Sequence, residues 1–156
     1  MRVVIIGSGN LATHLSHALH NAGVKIAQVY DRTIEHALTL AADLNCEAIS
    51  SVSDMEAGAD AYIIAVKDDA IAEVAKQIAS VAQNGVVLHT AGSVSMAVLD
   101  GAVKHYGVFY PMQTFSKTRE VDFRSVPCFI EASDSEAMAV IKAMAQQVCD
   151  TVQEAD

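Results

Sequence analysis

The feature that most constrains this chain is its opening, Val3-Val4-Ile5-Ile6-Gly7-Ser8-Gly9-Asn10-Leu11-Ala12. Four apolar residues run into G-x-G-x-x-A, and a helical pattern begins at once. Leu11, Leu15, Ala18, Leu19 and Ala22 fall in one stripe at helical spacing, with Gly23 just past the end as a stop. The reading is a buried strand, a tight turn and a helix. Gly7 permits the turn, Gly9 lets a ligand approach the backbone, and Ala12 is small enough for the helix to lie close on the strand. The free N–H groups and the positive end of the helix dipole then favour an anion such as a dinucleotide pyrophosphate. Because that field is local, it acts even on a chain whose formal net charge is −9.

Asp31 lies about 20 residues further on, at the end of the second apolar run, where a carboxylate accepts hydrogen bonds from adenine-ribose hydroxyls. That favours NAD. Arg32 and Thr33 follow immediately, and a guanidinium there pairs with a 2′-phosphate, which Asp31 would repel. NAD and NADP both remain open, as does the simpler reading of a surface turn capped by Thr33.

Apolar runs of strand length continue at Val24 to Tyr30, Ala61 to Val66, Val86 to His89, Gly107 to Tyr110 and Cys128 to Glu131, with a weaker one around Glu47 to Ser50. They alternate with helical patterns: about Thr33 to Leu44 ending at Asn45, one starting near Asp68 or Asp69, and a last one behind a capping box at Ser133 and Glu136. This is the signature of an α/β domain, a three-layer, doubly wound, mainly parallel sheet. The expected strand order is 3-2-1-4-5-6, with the ligand at the switch point between the first and fourth strands. No linker or repeat divides the chain, so residues 1–156 read as one domain.

Composition excludes several classes. The acidic balance opposes nucleic acid and anionic membrane surfaces, which need many basic contacts. No apolar run approaches the ~20 residues of a membrane span, and the opening is too short for a signal-peptide core, so a cytoplasmic location is expected. Lys104, Lys117, Arg119 and Arg124 outnumber Glu120 and Asp122 in one segment, which faces either solvent or an anionic small molecule. Cys46, Cys128 and Cys149, an odd number without C-x-x-C spacing, read as reduced buried thiols rather than a disulfide frame or zinc site. His14, His17 and His20 spread too widely around the first helix for one tetrahedral site, so no metal is expected.

A resemblance adds to this. Gly7-Ser8-Gly9-Asn10-Leu11-Ala12, Tyr30-Asp31-Arg32-Thr33, Ala65-Val66-Lys67-Asp68-Asp69-Ala70-Ile71, His89-Thr90-Ala91-Gly92-Ser93 and Tyr110-Pro111-Met112-Gln113-Thr114-Phe115 together resemble one Rossmann-domain superfamily. It includes 6-phosphogluconate and 3-hydroxyisobutyrate dehydrogenases, pyrroline-5-carboxylate reductases and deazaflavin-coenzyme-dependent NADP reductases, and within it the chain is most similar to a Rossmann-like bacterial oxidoreductase family. The resemblance implies that the Val66-Lys67 loop lies along the cofactor and that Thr90, Ala91, Gly92 and Ser93 face nicotinamide and substrate. It also implies a helical domain after the nucleotide-binding one, carrying the homodimer interface and, in hydroxyacid dehydrogenases, a catalytic lysine. This chain ends at Asp156, so it is expected to be the nucleotide-binding half alone, and no residue is carried over as that lysine. Many relatives read His-Pro where this chain has Tyr110-Pro111.

The catalytic group is therefore left open. His89 is a weak candidate proton donor, against a structural histidine. Thr90, Gly92 and Ser93 offer donors to a substrate carboxylate or to the nicotinamide amide, against helix capping by Ser93 or Ser95. Tyr106, Tyr110, Gln113 and Phe115 border a substrate cavity or pack the core, with the core the expectation for Phe109 and Phe115. Three function classes follow: an oxidoreductase domain transferring hydride between NAD(P) and a small-molecule substrate, a non-catalytic nucleotide-sensing or partner-binding module, and a methyltransferase, which Ala12 and Arg32-Thr33 argue against.

Overall fold

Strand β1 (Arg2–Ile6) is buried on both faces, and its alternation divides the core. Val3 and Ile5 face one apolar cluster, Val4 and Ile6 the other, all without exposed surface. That is why the run is continuously apolar: a central parallel strand has no solvent side. The computed structural model describes residues 1–113, 115 and 121–155. After β1 come α1 (Asn10–Asn21), β2 (Lys25–Tyr30), α2 (Ile34–Leu44), β3 (Glu47–Ile49), β4 (Ala61–Ile64), α3 (Ile71–Ile78), β5 (Val86–His89), β6 (His105–Pro111), β7 (Cys128–Ala132), α4 (Ser135–Val148) and β8 (Val152–Glu154).

The strands form one sheet in the order β3-β2-β1-β4-β5-β6-β7-β8. From β3 to β6 all pairings are parallel, in the expected order. β7 then pairs antiparallel with β6, and β8 parallel with β7. The edge strand β8 is absent from the sequence reading because Val152–Glu154 is short and polar, with no apolar run to mark it. α1, α2 and α4 cover one face through Leu15, Leu19, Leu40, Leu44, Ile141 and Met144, while α3 covers the other through Ile71, Ala75 and Ile78. Among the described residues, no helix is long and apolar enough to cross a membrane.

Helix ends show where local signals hold. α1 stops as expected, Gly23 taking φ +93° with its amide on His20 O at 3.0 Å, and α2 ends on Asn45 in the left-handed region at φ 54°. Two caps differ from expectation. At α4, Asp134 rather than Ser133 caps the helix, its Oδ1 accepting from Ala137 N at 2.8 Å. Ser133 Oγ instead accepts from Tyr106 N on β6, and Glu136 turns to His105 Nε2 at 3.3 Å. At α3 neither Asp68 nor Asp69 caps; both lie in a short 3-10 turn ahead of the helix, whose N-cap is Ala70.

The cysteine expectation is corrected. Cys128 and Cys149 form a disulfide, with Cα atoms 6.5 Å apart, and Cys46 is the free thiol. Cys128 opens β7 and Cys149 closes α4, and the helix returns along the sheet to the strand's start. Sequence spacing does not register such a return.

Candidate functional site

The carboxyl ends of β1, β2 and β4 surround a cleft of about 530 Å3. Its floor is the β1–α1 turn. Gly7 adopts φ +113°, and a Cβ there would overlap the carbonyl of Ala65 on the neighbouring segment, so both the conformation and the space demand glycine. Its amide donates to Tyr30 O at 2.8 Å, while Ala65 N donates to Ile6 O at 2.8 Å, tying β2 and β4 to the turn.

Gly9 differs. It has an ordinary backbone conformation, and a Cβ built on it meets nothing within 4 Å. The space in front of it is the cleft. Gly9 is also the N-cap of α1, with no side chain over the helix end and no acidic residue in the first turn. The first amides of α1, from Asn10 onward, thus lack intrahelical partners and present donors and a positive dipole end to an anion. Ala12, 1% exposed, lets α1 sit close on the sheet, and Leu11 packs against the core.

The β2–α2 turn forms one side of the cleft. Ser8 Oγ donates to Asp31 Oδ2 at 2.6 Å, and Thr33 N donates to Asp31 Oδ1 at 2.9 Å, so both carboxylate oxygens are engaged. Thr33 is the N-cap of α2 but makes no capping bond with its hydroxyl. Arg32 and His36 line the same wall, His36 Nδ1 lying 3.8 Å from Asp31 Oδ1. Opposite stand Val66 and Lys67, then Ala70, Glu73, Val74 and Gln77.

The sequence-derived residues Gly7, Ser8, Gly9, Asp31, Arg32, Thr33, Val66 and Lys67 therefore converge on one cleft. Tyr30, His36, Ala65, Ala70, Glu73, Val74 and Gln77 complete it and were not among the expected residues. For the α3 wall a signal existed: Ala70, Glu73, Val74 and Gln77 recur at helical spacing on the face beside the buried stripe.

The other loops lie beyond the cleft, at the ends of β5 and β6. His89 is fully buried. Its Nδ1 accepts from Ala91 N at 3.1 Å, which leaves the ring proton on Nε2, 3.4 Å from Ser95 O. Burial, partly offset by the Ser95 carbonyl, pushes its pKa below the ordinary imidazole value. It is an internal strut for the loop that follows, with neither nitrogen turned to solvent, the placement of the structural histidine that was the alternative to a proton donor.

Thr90 is buried, and Ser93 Oγ donates to Asp68 Oδ2 at 3.1 Å, linking the loops after β4 and β5. A Cβ on Gly92 would overlap the ring of Tyr110, so this glycine is required by the aromatic packed on it. Tyr110 is half-buried at the carboxyl end of β6, with Gln113 just beyond. Ser95, not Ser93, makes a cap, accepting from Ala97 N at 3.1 Å.

Other expectations are redirected. Tyr106 sits near the start of β6, its hydroxyl on Asp100 Oδ1 at 3.1 Å, at the sheet end opposite these loops. Phe109 and Phe115 are core residues, Phe115 stacking on Phe123 at 5.6 Å. Lys104 lies before β6, and Arg124 is committed to Asp150 and to Gln147 O. Lys117, Arg119, Glu120 and Thr114 lie outside the described residues. The three α1 histidines have separate surroundings: His14 beside the Phe115 ring, His17 3.6 Å from Asp43, and His20 in solvent. Among the described residues no group of three His, Cys, Asp or Glu could hold a metal ion.

Comparison with known proteins agrees with this architecture. The sequence profile described as coenzyme F420-dependent NADP oxidoreductase matches residues 2–92. No curated protein matches the sequence. A Bacteroides fragilis protein, provisionally designated an NADP oxidoreductase, has 47% identity and a TM-score of 0.93, over 99% of this chain and 60% of that one. A pyrroline-5-carboxylate reductase from Coxiella burnetii has 16% identity and a TM-score of 0.79, over 99% of this chain and 58% of that one. Prephenate dehydrogenase from A. aeolicus, in complex with hydroxyphenyl propionate and NAD+, has 16% identity and a TM-score of 0.79, over 100% and 60%. The last two show the fold alone. The chain spans about 60% of the length of the Bacteroides protein.

Proposed function

Since the chain belongs to the family of coenzyme F420-dependent NADP oxidoreductases, we propose that it is the NAD(P)-binding domain of an oxidoreductase acting on a small-molecule substrate. The observation that carries the reading is the open cradle at Gly9: unobstructed space in front of a helix N-terminus, bounded by Asp31, Arg32 and Thr33. The residues present fit a dinucleotide. The amides after Gly9 suit a pyrophosphate, the Asp31–Thr33 turn suits the adenine ribose, and Val66, Ala70 and Val74 give an apolar wall for the adenine ring.

When bound, the nicotinamide supplies hydride chemistry at its C4. The chain's residues bind and orient it. His89 acts as a positioning residue, holding Ala91 through its amide, and the Ser93–Asp68 bond keeps the two loops in register. Thr90 and Ala91 stand on the cofactor side, and Gly92, Ser93, Tyr110 and Gln113 on the substrate side, Tyr110 covering Gly92 and excluding water there. We further assign a cytoplasmic location, where nicotinamide coenzymes are available, and a homodimer for the protein at the length of its relatives.

Isothermal titration with NADPH, NADH and S-adenosylmethionine tests the coenzyme reading. Dinucleotide binding without adenosylmethionine binding is expected, and the converse would make the fold a methyltransferase. Dinucleotide binding without hydride transfer across a broad substrate panel, in the longest native form of the protein, would replace the enzyme by a nucleotide sensor.

A further inference from the structure

The covalent link between β7 and α4 lies outside the coenzyme cleft and takes no part in the reading above. Cys128, the first residue of β7, is bonded to Cys149, the C-cap of α4, and both are buried in the apolar cluster that holds Ile130, Met144 and Val148. The bond stands at the root of β8. Val152 opens that strand three positions after Cys149, and its register partner on β7 is Cys128 itself. β8 is the outermost strand of the described sheet, with Val152 half-buried and Gln153 and Glu154 exposed. Main-chain bonds attach it, among them Cys128 N to Thr151 O at 3.0 Å and Ala155 N to Ile130 O at 2.9 Å, together with an exposed pair, Lys142 Nζ and Glu154 Oε2 at 3.2 Å. A short, polar edge strand held in this way opens locally at small free-energy cost. α4 is different, because Ile141, Met144, Ala145 and Val148 fix it on the sheet whatever the state of the bond. The core also accommodates two thiols. A thiol packs as a small apolar group, and Cys128 Sγ lies 3.6 Å from Val126 O, an acceptor for its S–H once the bond is open. The fold thus admits two covalent states around one core, which differ in how firmly β8 is held.

We propose that Cys128 and Cys149 form a reversible redox site, opened and closed by a cellular thiol–disulfide couple, whose state decides whether β8 is clamped to the sheet. The inference is independent of the coenzyme reading. It uses only the cytoplasmic assignment, since in a thiol-rich compartment a disulfide is redox-sensing or catalytic rather than structural. Both sulfurs are buried, so exchange waits for β8 to detach and bare Cys149. A thiolate of the couple then attacks Cys149 Sγ; the S–S bond breaks, and Cys128 leaves as a thiolate that takes up a proton. A second thiol attacks the resulting mixed disulfide and releases Cys149 as its thiol and the couple as its disulfide. Two electrons pass from the couple to the protein, and oxidation runs the same steps in reverse.

The test has two arms. In the first, the chain is equilibrated in mixtures of reduced and oxidised glutathione, quenched with acid, alkylated in denaturant and weighed by mass spectrometry. The population should pass from one label, on Cys46, to three as the mixture becomes more reducing, with the three-label form present at a cytosolic glutathione ratio. In the second, deuterium uptake is compared between the oxidised chain and the chain reduced with dithiothreitol, with circular dichroism to follow the fold. Amides of residues 152–155 should exchange about tenfold faster in the reduced chain while those of β1 and α3 are unchanged. Cys149→Ala should show the same fast exchange without reductant. A bond that stays closed at a cytosolic ratio, thiols that stay open at every ratio, or equal exchange at β8 in the two states would overturn the proposal. So would loss of the folded spectrum on reduction, which would make the bond a structural one. Failure of either state to bind NADPH or NADH would remove the coenzyme reading and leave this inference standing.

Discussion

Replacing Gly9 by valine separates the folded scaffold from the ligand cradle. The position has φ −74° and ψ −163°, which valine tolerates, and the added Cβ meets no protein atom within 4 Å. The cost to the fold is confined to exchanging glycine for valine at an N-cap, about 1 kcal/mol at most. For a domain of this size that lowers Tm by about 2–4 °C. The isopropyl group projects instead into the space a pyrophosphate would fill. Displacing the anion from two helix amides forfeits hydrogen bonds to a charged group, each contributing about 1.5–3 kcal/mol. The combined loss of about 3–6 kcal/mol corresponds to an affinity drop of at least about a hundredfold. Gly7→Ala provides the contrast, because its φ of +113° and its overlap with the Ala65 carbonyl strain the native state itself. Calorimetric titration with NADPH, alongside thermal scans, reads both. Gly9→Val should retain its melting transition and lose binding, whereas Gly7→Ala should lose stability. Undiminished dinucleotide affinity in folded Gly9→Val would refute the placement of the diphosphate at this turn.

Other consequences are open to direct measurement. Arg32→Ala should weaken NADPH by about tenfold while NADH changes little, and equal losses for both would show that Arg32 does not read a 2′-phosphate. His89, with its pKa lowered by burial, is neutral in the fold and takes up a proton more readily when unfolded. The unfolded state therefore binds more protons in acid, so this stabilising contribution is complete above about pH 6.5 and declines as the pH falls below it. Chemical denaturation of the parent and of His89→Gln across pH 5–8 should show a steeper acid-side loss in the parent, and parallel profiles would contradict that account. Thiol labelling of the denatured, unreduced chain should modify Cys46 alone, with Cys128 and Cys149 becoming reactive after reduction. Breaking a crosslink over 21 positions should cost about 3 kcal/mol, or roughly 6–12 °C in Tm. Three reactive thiols before reduction would count against the bond.

Much of the cleft wall at the β1–α1 turn was legible because its requirements are local. A glycine at positive φ, an open N-cap and a small residue one turn into a helix are each set by residues within a few positions of one another. The opposite wall was half legible. Val66 and Lys67 were placed by the family resemblance, while Glu73, Val74 and Gln77 join only because α3 packs against the sheet at one particular rotation. His36 shows the same limit: its helical position is evident, but its approach to Asp31 depends on how α2 leaves the turn. The capping box at Ser133 failed for a related reason, since Tyr106 on β6 takes the serine and His105 takes Glu136. A local motif loses when a distant partner offers a better bond.

By itself the sequence determined a strand, a tight glycine turn and a helix, and the alternation of apolar runs that makes a parallel sheet covered on both faces. These follow from backbone sterics and from the 2.0 and 3.6 residue periods, which act over short stretches of chain. Only the tertiary structure decided that β7 reverses direction and β8 extends the edge, that Cys128 meets Cys149, that His89 is sealed inside, and that α3 closes the cleft. Each of those is an encounter between segments far apart in the chain, and its free energy comes from surface buried jointly by both, which neither segment's pattern encodes alone.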